Sequence, residues 1–555
     1  MSQIRLPVAA ATSTRERRKR ATAWWIDALV VAVVVTLAYG VVAAASRWVA
    51  PYTPAVTIDL SPWRLPLYAG LSTFRMALAY LLALAFTLVY ARVAAGSRSA
   101  ERVMIPLLDV LQSIPILSFM PGVVLGLVAL FPHSNLGLEI AAVLLIFTSQ
   151  AWNMTFSFYH SLRVIPKELR EAAAVYRLNA WRRFTLLEAP FSMIPLLWNS
   201  MMSWAGGWFF LMAAEQFSLG TRSFELPGLG SYLQTAANAG DLRALLLGLG
   251  ALIVVIILLD QLLWRPLIAW ADRFKIEQTS SGVAPASFTL RLLRRSALVA
   301  WMSARVWRPL FAALDRGISR LLAPTAPRRM ALGATTPEAD ARDDKAARAR
   351  QRAVSLALWG AVTALCLWGV LAAVRTLMDV SPGDWGQIGV SALATLARTT
   401  LALVIGVAWT VPVGVAIGSH PRLAQRAQPI VQMVASIPAT ALFPALLLVL
   451  LGLPGGLNIA AVALMLLGTQ WYVLFNVIAG AMAIPSDLRE AGAIYQLRGW
   501  RRWRYLILPA IFPYLVTGMI TATGGAWNAS IVSEYVSFNN HIHSTVGLGA
   551  LIASA

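Results

Sequence analysis

Long apolar runs separated by short basic loops dominate the pattern of hydrophobic and polar positions along the chain. Runs near or above the roughly 20 residues needed to cross a hydrocarbon core occupy about 25–46, 67–95, 104–131, 138–160, 192–216 and 244–268. A second series lies at about 354–376, 392–418, 427–452, 457–480 and 511–535. The pattern predicts eleven spanning helices and an all-α polytopic membrane protein. Orientation follows from the arginines, because basic residues are retained on the cytoplasmic side. With the N-terminus inside, Arg92/Arg98/Arg102, Arg163 to Arg183, Arg291 to Arg352, Arg422/Arg426 and Arg489 to Arg504 all fall in cytoplasmic loops. The loops left outside, such as 132–137 and 453–456, carry almost no basic charge.

The two series are copies of one another. Ile165 to Pro190 reads IPKELREAAAVYRLNAWRRFTLLEAP and Ile484 to Pro509 reads IPSDLREAGAIYQLRGWRRWRYLILP, with fourteen of twenty-six positions identical and no gap. Upstream, Arg75, Pro106, Ser113-Ile114-Pro115 and Pro121 recur as Arg398, Pro429, Ser436-Ile437-Pro438 and Pro444. Downstream, Gly207-Trp208, Glu215 and Gly228-Leu229-Gly230 recur as Gly525-Ala526-Trp527, Glu534 and Gly547-Leu548-Gly549. The copies run in the same direction, so they are parallel repeats about an axis along the membrane normal, with a pathway expected between them. The run at 244–268 has no second copy, because the sequence stops at Ala555; parity calls for a twelfth helix. The expected divisions are a cytoplasmic tail over 1–24, a first transmembrane unit over 25–269, a cytoplasmic segment over 270–353 and a second transmembrane unit over 354–555.

Composition narrows the class. The chain is 58% apolar and 13% charged with 21 Trp, which places most of it in lipid. A net charge of +21 could signal nucleic acid, but the basic residues form short runs between apolar stretches and no continuous face. Topology accounts for them, and no nucleic-acid partner is expected. The basic N-terminus (Arg15, Arg17, Arg18, Lys19, Arg20) leads into an apolar run without a small-residue cleavage site, so it reads as a retained tail. One cysteine, Cys366, excludes a disulfide within the chain. Between the halves, residues 270–353 begin as basic amphipathic stretches suited to the leaflet surface and end as an Ala-, Arg- and Asp-rich linker.

The duplicated segment is too polar to span and lies on the arginine-rich side. Leu169, Ala172, Ala173 and Tyr176 recur at helical spacing, which predicts a short amphipathic helix, a turn near Asn179 (Gly499) and a second helix carrying Trp181-Arg182-Arg183 (Trp500-Arg501-Arg502). A surface helix repeated in both halves suits a symmetric partner. Its Glu171-Ala172-Ala173 and Glu490-Ala491-Gly492, with the closing Pro190 and Pro509, resemble the EAA loop of binding-protein-dependent ABC importer permeases. The SIP segments and the Trp-to-Glu pattern resemble the nitrate/sulfonate/taurine branch, here as two permeases fused in one chain with the type I importer fold.

That resemblance implies several things. The loop is a coupling helix docking into a separate ATP-binding subunit, two copies of which serve one chain; ATP and magnesium are bound there, and this chain holds no cofactor. An extracytoplasmic binding protein delivers a small anion, and the location is the bacterial inner membrane. Two positions depart from the family pattern. The usual glycine six residues after the Glu is Arg177 in one copy and Gln496 in the other, and the Leu-Pro ending kept at Leu508-Pro509 is Ala189-Pro190 in the first. The four lysines, Lys19, Lys167, Lys275 and Lys345, all lack the preceding glycine of a phosphate-binding loop, so the chain is read as a transport component and not an enzyme.

Ionisable and helix-breaking residues inside spans are the pathway candidates. Glu215 and Glu534 fit either a hydrogen bond to a neighbouring helix or a gate. Arg75 and Arg398 fit attraction of an anion or interfacial snorkelling. Ser113 and Pro115, with Ser436 and Pro438, fit a packing kink or a site where a freed backbone carbonyl meets a solute. Asp260 beside Arg265 reads as interfacial. His541 and His543 lack a third ligand, so no metal site is expected. A fused permease for ferric iron or thiamine keeps this mechanism with another cargo. A secondary transporter with parallel repeats would not require the duplicated cytoplasmic loop, and no catalytic constellation supports a membrane enzyme.

Overall fold

Backbone polar groups in a bilayer must be satisfied within each segment, and the α-helix does this for the apolar runs. The computed structural model describes residues 57–321 and 380–554, with breaks at 177, 220–221, 275–287 and 539–540, and scattered positions within 26–48 and 360–378. The expected tail, most of the runs at 25–46 and 354–376, the linker beyond 321, Arg177 and Cys366 lie outside the described residues.

The first half contains α1 (Leu65–Gly96), α2 (Arg98–Ser113), α3 (Ile116–Leu130), α4 (Leu136–Val164), α5 (Lys167–Val175), α6 (Ala180–Arg183), α7 (Ala189–Glu215), the hairpin β1 (Gln216–Leu219) and β2 (Arg222–Glu225), α8 (Leu229–Asn238), α9 (Leu242–Leu259) and α10 (Arg265–Ala271). A connecting segment follows as α11 (Phe288–Arg295), α12 (Ala297–Met302) and α13 (Arg308–Leu321). The second half repeats the plan with α14 (Pro382–Gly418), α15 (Pro421–Ala435), α16 (Ala439–Leu450), α17 (Gly456–Met482), α18 (Ser486–Ile494), α19 (Gly499–Arg502), α20 (Leu508–Ser533), the hairpin β3 (Tyr535–Phe538) and β4 (His541–Ser544), and α21 (Leu548–Ser554). Both hairpins are antiparallel. In each half one helix, α4 or α17, is packed between two others, α1 and α7 or α14 and α20.

Six described helical stretches are long and apolar enough to cross a membrane: Pro62–Gly96, Leu136–Val164, Leu242–Ala271, Pro382–Gly418, Gly456–Met482 and Gly499–Ser533. Two expected spans need correction. The run at 104–131 is not one rod: α2 and α3 meet at a 92° bend across Ser113-Ile114-Pro115. The run at 427–452 is also interrupted, giving α15 and α16 on either side of Ser436-Ile437-Pro438. Proline removes an N–H and pushes the preceding residue out of the helical region, and Ile114 is accordingly extended at φ −75° and ψ 122°. The run at 192–216 forms a helix of 27 residues, α7. Its Ser192, Ser200 and Ser203 are buried in protein, where a helix shielded from lipid can carry hydroxyls.

The main core crosses between the halves, with Trp204, Trp208 and Leu211 of α7 and Tyr232 of α8 in one cluster with Ala439, Phe443 and Leu447 of α16. The halves also share polar contacts. The Ile116 amide at the start of α3 donates to Asn528 Oδ1 of α20 at 2.7 Å, and Thr440 Oγ1 of α16 donates to the Phe209 carbonyl at 3.3 Å.

In each half the short helix α3 or α16 returns directly against the next helix, and a glycine makes the turn possible. A Cβ at Gly137 or at its counterpart Gly456 would collide with the carbonyl of Leu127 or Leu450. Gly137→Ala and Gly456→Ala should each destabilise the protein by about 1–3 kcal/mol, seen as a lower melting temperature in detergent. Gly122→Ala, where a Cβ meets open space, should leave it unchanged.

Candidate coupling loops and inter-half cavity

The two polar loops fold alike. Pro166 and Pro485 precede α5 and α18, and both helices end after one apolar pair. Arg170 Nη2 donates to the Leu162 carbonyl at 2.8 Å, and Arg489 Nη2 to the equivalent Ala481 carbonyl at 2.9 Å, so each loop is tied to the preceding span. The small residue at the third motif position faces inward. Ala173 is buried, and a Cβ on the buried Gly492 would sit 3.0 Å from Leu506 Cδ2. Glu171, Ala172 and Glu490 point to solvent, and Ala491 is half-buried.

The tips carry the residues that sequence reasoning underweighted. Val175 and Tyr176 are 79% and 78% exposed, and Ile494 and Tyr495 are 79% and 78% exposed. Two large apolar side chains held out identically in both copies form a pair of equivalent exposed apolar patches. The signal was present in the repeated V/I-Y dipeptide.

Beyond the tips the copies diverge. Asn179 Oδ1 caps α6 by accepting from the Arg182 amide at 2.7 Å, whereas α19 starts from Arg498 without a side-chain cap. Arg183 Nε donates to Glu188 Oε1 at 2.6 Å, while Arg182, Arg501 and Arg502 are exposed. Pro190 and Pro509 sit in the first turns of α7 and α20, each after a π-helical turn, Phe184–Glu188 or Trp503–Ile507. Gln496 adopts φ 49°, the left-handed conformation that glycine accepts without strain.

A cavity of about 230 Å³ lies between the halves. Trp198, Met202 and Phe209 of α7 face Trp471, Tyr472 and Phe475 of α17 across it, with Gln432, Ser436, Pro438 and Asn528 supplying polar and backbone groups. None of its lining residues is charged. Of the two SIP segments, Ser436 and Pro438 border this space and Ser113 and Pro115 do not; Ser113 Oγ donates to the Asp109 carbonyl at 2.7 Å.

Arg75, Arg398, Glu215 and Glu534 lie away from the cavity, at the end of each half opposite the coupling loops. Arg75, its side chain 1% exposed, donates from Nη1 to Glu215 Oε1 at 2.8 Å and from Nη2 to Glu139 Oε1 at 2.8 Å. Glu215 also accepts from Ser72 Oγ at 2.5 Å and from the Gly230 amide at 2.7 Å. The second half repeats this, with Arg398 Nη1 on Glu534 Oε1 at 2.8 Å, Thr395 Oγ1 on the same oxygen at 2.8 Å and the Gly549 amide on Oε2 at 2.8 Å. Asn458 stands where the first half has Glu139, accepting from Arg398 Nη2 at 2.8 Å. A Cβ at Gly228 or Gly547 would overlap the carboxylate, which gives the repeated Gly-Leu-Gly its physical reason. Asp260 accepts from Arg265 Nε at 2.9 Å, and His541 and His543 lie on β4. Among the described residues no group of three or more His, Cys, Asp or Glu side chains is placed to hold a metal.

A family model described as binding-protein-dependent transport system inner membrane component matches residues 83–263 and again residues 410–553, one match in each half. The chain belongs to this family, carries its domain twice and is an integral component of the inner membrane. Relatives include the nitrate import permease protein of Synechococcus elongatus, 23% identical over 28% of this chain and 54% of that protein. The bicarbonate transport system permease protein of Synechocystis sp. is 28% identical over 29% of this chain and 55% of its own length. The taurine transport system permease protein of Escherichia coli is 27% identical over the same shares, 29% and 55%. The chain thus spans about half the length of the curated relatives it matches.

Two measurements follow from this geometry. Glu534→Gln should cost about 3–5 kcal/mol, because it removes the carboxylate paired with Arg398, whereas Glu215→Gln should cost less, because Arg75 keeps Glu139 as a charge partner. Glu139→Asn, which gives the first half the composition of the second, should cost under about 2 kcal/mol; thermal unfolding in detergent compares them. Gln496→Gly should raise stability by roughly 0.5–1 kcal/mol through relief of the left-handed backbone.

Proposed function

We propose that the chain forms the translocation pathway of an ATP-driven importer and couples hydrolysis by two separate ATPase subunits to uptake of a small anion. The observation that carries this reading is the pair of identically exposed tips, Val175-Tyr176 and Ile494-Tyr495. Each suits insertion into a groove on one copy of a symmetric partner pair, with Glu171 and Glu490 on the same exposed surfaces. Closure of the ATPases on ATP draws the loops together, and the halves rock against each other around the cavity.

The cargo is a small oxyanion or sulfonate, in keeping with relatives named for nitrate, bicarbonate and taurine. An uncharged, aromatic-walled space with Gln432, Ser436, Tyr472 and Asn528 at hand offers neutral donors. Such donors let an anion enter without holding it, as conduction requires. The lack of a lining carboxylate disfavours ferric iron or a thiamine cation. An extracytoplasmic binding protein presents the solute at the face opposite the coupling loops, and the N-terminus lies in the cytoplasm.

Reconstitution with the ATPase and binding protein in liposomes tests this. Tyr176→Ala with Tyr495→Ala should weaken ATPase association by roughly 2 kcal/mol or more per site. Glu171→Ala with Glu490→Ala should uncouple hydrolysis from uptake. Uptake driven by an ion gradient and indifferent to both pairs would overturn the proposal.

A further inference from the structure

We infer that residues 288–321 bind the anionic headgroups of the cytoplasmic leaflet and transmit that binding to the first coupling loop through Trp181. The transmission step rests on the coupling reading above; the headgroup binding does not.

Three contacts fix where the segment lies. Thr289 Oγ1 of α11 donates to the Gln261 carbonyl at 2.8 Å, in the last turns of the Leu242–Ala271 stretch. Ser296 Oγ and the Leu298 amide both donate to Asp27 Oδ1, the second at 3.1 Å. Asp27 stands at the start of the first apolar run, so both anchors are span ends on the arginine-rich side. From there Ala297 to Leu321 is continuous helix through a π-helical turn, roughly 37 Å long at 1.5 Å per residue. At its far end Asp315 Oδ1 accepts from the Trp181 indole Nε1 at 2.8 Å. A segment anchored at two span ends and touching a loop on the same side runs at the level of the headgroups.

Its chemistry suits that level. Residues 288–321 contain seven arginines and one acidic residue. The single acid, Asp315, is the one engaged by Trp181. Arg291, Arg295, Arg305 and Arg308 are exposed, as are Trp301 and Trp307. Exposed arginines interleaved with tryptophan are what an anionic interface takes up, each basic residue adding about fivefold to binding. The second coupling loop lacks an equivalent contact with this segment among the described residues, and Trp500 is 70% exposed. Lipid binding therefore acts on one of two otherwise equivalent loops.

The test uses the full chain in nanodiscs of phosphatidylcholine alone or with phosphatidylglycerol. Amide exchange over 297–321 should slow severalfold with phosphatidylglycerol, and a variant carrying Arg291→Gln, Arg295→Gln, Arg305→Gln and Arg308→Gln should lose that difference. Equal exchange in the two lipids, or protection that appears only on adding the ATPase, would overturn headgroup binding. With the ATPase present, phosphatidylglycerol should change hydrolysis severalfold in the wild type. Trp181→Phe should abolish that change while the exchange difference persists. If Trp181→Phe responds like the wild type, the link to the loop is wrong. Hydrolysis indifferent to the chain in either lipid, with the exchange difference intact, would instead overturn the coupling reading.

Discussion

A guanidinium held between a carboxylate and a backbone turn fixes one end of each half. In a low-dielectric interior a lone Arg or Glu would be prohibitive, so Arg75 with Glu215 and Arg398 with Glu534 persist only as complete networks. Each network joins α1 or α14 to the C-terminal end of α7 or α20, and closes the Gly-Leu-Gly turn over the carboxylate. The end remote from the coupling loops is thereby made rigid twice, by the same means. Relative motion is left to the interface between the halves.

That interface has the composition motion requires. It holds the apolar cluster of α7, α8 and α16, uncharged polar contacts such as Asn528 on the Ile116 amide, and a cavity walled by aromatic rings without charges. Such contacts can be exchanged without stranding a buried ion. At the opposite end, Arg170 and Arg489 tie the candidate coupling helices α5 and α18 to the helices before them. The π-helical turns at Phe184–Glu188 and Trp503–Ile507 run each loop straight into α7 or α20. A push on a tip therefore reaches a helix beside the cavity without crossing a hinge of loose chain.

The sequence made much of this legible, and the reasons for the rest are specific. Spans, loops and the duplication could be read because hydropathy and identity are local properties. The bends at Ser113-Ile114-Pro115 and Ser436-Ile437-Pro438 were marked by their prolines, but the continuous apolar character of 104–131 and 427–452 hid the division. Arg75 and Glu215 stood out as ions in apolar runs, yet their 140-residue separation left the pairing invisible. Glu139 went unnoticed because its counterpart is Asn458, so the repeat comparison that exposed the other members concealed this one. The cavity favours one SIP segment over the other, an asymmetry of packing that near-identical motifs cannot encode. Gln496 shows another case: the missing glycine pointed to a shifted or tighter turn, whereas Gln496 itself takes up the left-handed conformation at φ 49° that glycine accepts without strain.

Under the proposed mechanism, two rigid halves rock about the cavity when the coupling loops are driven together. Spin labels at positions 176 and 495, with Cys366 replaced by serine, measure the loop separation in the assembled transporter without nucleotide and with trapped ATP. A second pair at the exposed positions 63 and 242 reports on the end of the first half that the buried network holds. The account predicts that the loop separation shortens with ATP while the network distance stays constant. An unchanged loop separation during active uptake, or a network distance that shifts with it, would contradict it.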